Sequence, residues 1–97
     1  MTVTDLFGPT EPRTLSAGQE RPILVGEPAI NNNDIGRDAY WDVFVVPATS
    51  ETRGFNVEVV RTWVEEVDGF TRLRYLVRNN NQTQDVEFIR FAIRVRP

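Results

Sequence analysis

Val60-Arg61-Thr62-Trp63-Val64-Glu65-Glu66-Val67-Asp68-Gly69-Phe70-Thr71-Arg72-Leu73-Arg74-Tyr75-Leu76-Val77 reads as two alternating apolar and polar runs joined by Asp-Gly. A two-residue Asp-Gly loop between such runs specifies a β-hairpin, because the type I′ turn it favours needs positive φ at both central residues. With Asp68-Gly69 as the turn, Val67 stands opposite Phe70. Counting outward pairs Glu65 with Arg72, Val64 with Leu73, Trp63 with Arg74, Thr62 with Tyr75 and Val60 with Val77. One face of this hairpin is apolar and the other charged, as in an antiparallel sheet packed on one side only.

Outward from the hairpin, strands are predicted over about 40–46, 55–67, 70–78 and 86–96, forming an antiparallel β domain over residues 40–97. Tyr40 to Val46 is apolar on both faces, the pattern of a strand covered on both sides, and Pro47 closes it. Asn79 to Asp85 is a polar loop. No helix of three turns, internal repeat or coiled-coil heptad can be placed.

Residues 1–39 differ in character. Four of the six prolines (Pro9, Pro12, Pro22 and Pro28) fall in the first 28 residues and exclude a long helix. The segment is expected to be an extended arm with one short strand at about 23–25, between Pro22 and Gly26. Asn31-Asn32-Asn33-Asp34 followed by Gly36 is a loop, since Asn and Asp satisfy the backbone locally and tolerate left-handed φ. The fold class expected is all-β: a small antiparallel sandwich or flattened barrel, Ig-like or jelly-roll-like, carrying this arm.

Composition removes much chemistry. The 97 residues hold no Cys, His or Lys, and all 11 positive charges are arginine. Disulfides, thiolate sites, Ser-His and Cys-His nucleophiles, Schiff bases and a Walker-type lysine are thereby excluded. Glu65 and Glu66 point to opposite faces of one strand and Asp68 serves the turn, so no carboxylate pair is set for glycoside hydrolysis. The Asn-rich loops lack the spacing of a calcium loop. No catalysis, metal or cofactor is expected. No stretch approaches 18 apolar residues, and Met-Thr-Val-Thr-Asp-Leu-Phe-Gly-Pro lacks the basic and apolar regions of a signal peptide, so cytoplasmic synthesis is expected. A net charge of −3 gives no general attraction for nucleic acid. The charge is uneven: residues 1–51 carry eight acids and three arginines, residues 52–97 eight arginines and six acids.

Extending the register across the Asn79 to Asp85 loop as a second hairpin sets Arg78 against Val86, Tyr75 against Ile89 and Leu73 against Phe91. The apolar faces then coincide, giving a core of Val60, Thr62, Val64, Leu73, Tyr75, Val77, Ile89, Phe91, Ile93 and Val95. The opposite face aligns Trp63, Arg74 and Arg90 in one row, with Arg72 beside Glu65 and Leu76 beside Phe88. Arg74 directly opposite Arg90 is repulsive and calls for Trp63 or an acidic partner. Trp63, Arg72, Arg74, Leu76, Phe88 and Arg90 are therefore the expected interface, a composition enriched at protein contacts. The expected partners are a second copy of the chain or a larger protein lattice, as for small virion proteins that decorate a capsid or sit in a tail. The alternative is an Ig-like or lectin-like module that binds carbohydrate or a receptor through Asn32, Asn33, Asn80 and Asn81.

Overall fold

The structure, a computed structural model, describes residues 2–25, 39–50, 53–67 and 69–97. These residues are all-β, with seven strands: β1 (Val3–Phe7), β2 (Arg13–Leu15), β3 (Glu20–Leu24), β4 (Tyr40–Pro47), β5 (Val57–Val67), β6 (Phe70–Asn79) and β7 (Val86–Arg96). They form two antiparallel sheets. In the first, β4 runs along one edge of β7 from Pro47↔Phe88 to Tyr40↔Val95, while β1 and β2 share the other edge. In the second, β6 lies between β3 and β5.

The Asp68-Gly69 hairpin forms in the expected register from Val67↔Phe70 through Arg61↔Leu76, with Gly69 at φ +80°; Asp68 lies outside the described residues. Beyond Arg61 a bulge between Val59 and Arg61 breaks the register, so Val59, not Val60, stands opposite Val77. One inserted residue exchanges the faces of everything beyond it. Val60 is 41% exposed, and Val59 packs against the core in its place.

The second expected hairpin does not form. The Asn79 to Asp85 loop carries the chain from one sheet to the other, so β6 and β7 are not paired. Strand β7 consequently turns its other face inward: Val86, Phe88, Arg90 and Ala92 are buried, and Ile89, Phe91, Ile93 and Val95 face outward. The expected core is correct at Leu73, Tyr75 and Val77, and incorrect on β7 and at Val60 and Val64, which is 43% exposed. The core is one cluster fed by both sheets, Leu15, Val43, Phe88 and Ala92 from the first and Ile23, Leu73, Tyr75 and Val77 from the second.

Within the 1–39 segment expected to be an extended arm with one short strand at about 23–25, residues 3–24 supply three strands hydrogen-bonded into both sheets. Asn79, fully buried, ties the sheets together. Its side-chain amide donates to the carbonyls of Leu15 (3.1 Å), Ser16 (3.2 Å) and Gln84 (2.8 Å), and its Oδ1 accepts from the Asn81 backbone N–H (2.9 Å) and side chain (3.0 Å).

Candidate functional site

The two sheets present outer faces of different chemistry. On the β3-β6-β5 sheet, the outward positions carry Arg72, Arg74, Leu76 and Arg78 on β6, opposite Glu65, Trp63, Arg61 and Glu58 on β5. This charged face compensates itself. Arg74 ion-pairs with Glu65, whose other oxygen lies 3.5 Å from the Trp63 Nε1 donor. The cation over the Trp63 ring is Arg61, at 4.8 Å from the ring centre, rather than Arg74. Arg78 bridges two strands by pairing with Glu20 at 3.0 Å and Glu58 at 3.5 Å.

The expected row of Trp63, Arg74 and Arg90 is therefore broken at its third member. Trp63, Arg72, Arg74 and Leu76 do share one outer face, but Arg90 and Phe88 belong to the other sheet and point into the interior, 2% and 1% exposed. The physical reason is the β6-to-β7 crossover, which abolishes the Arg74 and Arg90 pairing and with it the repulsion that called for a partner. Asn80 and Asn81 do not form a converging set of loop donors either. The Asn80 side chain donates to Glu58 at 3.2 Å, and that of Asn81 donates to the carbonyl of Gly54 and to Asn79. Asn32 and Asn33 lie outside the described residues.

The first sheet's outer face is apolar. Alternation places Tyr40, Phe44 and Val46 of β4, Ile89, Phe91, Ile93 and Val95 of β7 and Leu6 of β1 on one side, with Asp42 and Glu87 the acidic residues on that face. Leu6 is 61% exposed, Tyr40 66% and Phe44 36%. Phe44 and Phe91 are cross-strand partners and stack with ring centres 5.2 Å apart, an offset pair that makes a firm aromatic platform. The Asp42 carboxylate accepts the Val43 backbone N–H at 2.9 Å. Strand β4 turns Trp41 and Val43 into the core and, among the described residues, leaves Tyr40 and Phe44 exposed on its other face. The signal was present in its double apolar pattern: a run of large apolar residues on the face turned away from the core is a surplus.

Beneath this face the inward positions of the same strands hold a cationic cluster. Arg94 ion-pairs with Asp5 at 2.9 Å and lies 5.3 Å and 5.6 Å from the ring centres of Phe7 and Trp41, which stack on each other. Arg96 reaches the same carboxylate at 3.2 Å. The Arg94 hydrogen bond, reinforced by the charges of Arg94 and Arg96 and opposed by desolvation, holds the Asp5 carboxyl below its usual range. This cluster fixes β1 and β4 on either side of β7, and so fixes the platform above it. Among the described residues no group of His, Cys, Asp and Glu could hold a metal ion, and no helix is long and apolar enough to cross a membrane. The chain finds no match among protein-family models, curated proteins or solved structures.

Proposed function

We propose that this chain is a non-enzymatic assembly protein whose two sheets stack as a small β-sandwich, Ig-like or jelly-roll-like, and whose apolar outer face pairs with the same face of a second copy. The observation that carries this reading is the exposure of Leu6, Tyr40 and Phe44 around the Phe44 and Phe91 stack. A contiguous apolar patch on a sheet face marks an association surface, whereas scattered apolar residues do not. The favoured occupant is a second copy because a two-fold contact sets a patch against itself. An apolar, sparsely charged patch tolerates that; the arginine-rich face of the other sheet does not. Each large side chain fully removed from water contributes roughly 1.5–3 kcal/mol, against an association cost of about 4–15 kcal/mol, so the contact is of moderate strength. Docking on a larger protein lattice, as in a virion, uses the same face and the same chemistry.

The test is the solution mass of the full chain by sedimentation equilibrium from low to high micromolar concentration, with Phe44→Asp as the control. A concentration-dependent dimer that Phe44→Asp returns to monomer supports the proposal. A monomer throughout the range removes self-association.

A further inference from the structure

Asp42 stands in the middle of the apolar face. One row across the first sheet runs from Leu6 through Ile93 to Asp42, and the rows on either side set Tyr40 against Val95 and Phe44 against Phe91. The carboxylate accepts one hydrogen bond, from the Val43 N–H at 2.9 Å, and makes no ion pair among the described residues. That N–H is one the sheet leaves over. The Ala48 N–H donates to the Glu87 carbonyl at 3.1 Å, and the alternation of an antiparallel ladder then turns the N–H groups of Trp41, Val43 and Val45 away from β7. Tethered there and only one methylene long, the carboxylate cannot carry its charge out past Tyr40 and Phe44 as a lysine or arginine head group would.

We propose, on the reading of this face as the contact between two copies, that Asp42 makes their association acid-dependent, each copy taking up one proton at this carboxylate as the faces meet. Covering the face takes the carboxylate out of water, and an unpaired charge in an apolar contact is neutralised by protonation rather than buried as an ion. No cation faces it among the described residues. The Tyr40 phenol beside it carries no positive charge in either form. The other charged residue on the face, Glu87, lies six residues along β7 from Ile93, about 20 Å away at the end of the strand. Arg94 and Arg96 are on the inner side of β7 and both pair with Asp5. On β5, which packs beside β4, the charged residues are Glu58, Arg61, Glu65 and Glu66, and Arg61 lies over the Trp63 ring. A second copy brings the same face and therefore the same want of a cation.

The experiment is sedimentation equilibrium of the full chain at pH 7, 6 and 5 and fixed ionic strength, for the parent, Asp42→Asn and Glu87→Gln. Asp5, held below its usual range, stays charged throughout, so the support of the face is not titrated. Each proton taken up on association changes affinity by up to about tenfold per pH unit, so the parent dissociation constant is expected to fall at least about tenfold from pH 7 to pH 5. Asp42→Asn changes an exposed residue and keeps an acceptor for the Val43 N–H. It is expected to associate at pH 7 at least as tightly as the parent does at pH 5, and to vary by no more than about twofold over the range. Glu87→Gln is expected to follow the parent. Parent association that is the same at all three pH values, an Asp42→Asn variant that keeps the parent's pH dependence, or a Glu87→Gln variant that loses it overturns the proposal and leaves the face as the contact. Absence of association in the parent and in Asp42→Asn at every pH overturns the contact itself, and the proposal with it.

Discussion

The two outer faces of this molecule are built on the same seven-strand frame yet solve their surface chemistry in opposite ways. On the β3-β6-β5 sheet every feature that looked like a demand for a partner is answered within the chain: Arg74 by Glu65, Trp63 by Arg61, Arg78 by Glu20 and Glu58. On the β4-β7-β1 sheet Leu6, Tyr40 and Phe44 stay exposed among the described residues, with the half-buried Phe91 stacked on Phe44. A charge-rich face is thus the quieter one. Surface charges can neutralise one another across strands, whereas apolar area leaves water only by being covered.

The largest effect is expected from charging the apolar face. Leu6→Asp combined with Phe44→Asp removes two side chains each contributing roughly 1.5–3 kcal/mol to a buried contact, so self-association weakens by about a hundredfold or more. Sedimentation with circular dichroism checks this; the monomer keeps its β spectrum. Trp63→Ala combined with Arg74→Glu strikes the other face. It breaks a cation–π contact worth about 0.5–1 kcal/mol and replaces the cation that faces Glu65 with a second carboxylate, for a stability loss of roughly 1–2 kcal/mol. Urea unfolding measures that loss, and association stays as in the parent chain. If association is abolished instead, the charged face is the interface.

Acid titration separates the platform from its support. The folded Asp5 carboxyl is held below its usual range by Arg94 and Arg96, so its stabilising effect is fully present above the unfolded value of 3.8 and is lost as pH falls through the folded value. Asp5→Asn is expected to flatten the acid limb of the stability profile, read by thermal melting from pH 7 downward. The smallest effect is expected at Glu58→Gln. Its partner Arg78 is 40% exposed and keeps Glu20, so stability changes by no more than about 0.5 kcal/mol.

The hairpin was legible because its information is local: Asp-Gly and two alternations determine the pairs from Val67↔Phe70 to Arg61↔Leu76 without reference to the rest of the chain. The bulge at Val60 was not, since Val57 to Val60 offers apolar residues at either parity and only packing against Val77 decides between them. Strand β7 misled for a deeper reason. Its outward set, Ile89, Phe91, Ile93 and Val95, is more hydrophobic than its inward set, which contains Arg90 and Arg94. The inward choice holds because Arg94 finds Asp5, 89 residues away in sequence, and the rings of Phe7 and Trp41. Nothing in the local pattern announces partners at that distance. The expected row of six residues is divided between the two sheets for the same reason: Arg90 and Phe88 were placed by a β6-to-β7 hairpin that the crossover replaces.

The direct test of the contrast between the faces is to follow methyl resonances of the full chain by NMR as its concentration is raised. Concentration-dependent shifts in Leu6, Ile89, Ile93 and Val95, with Leu76 unmoved, are the predicted result. Shifts in Leu76 with those four unmoved would contradict the account and return the interface to the arginine-rich face.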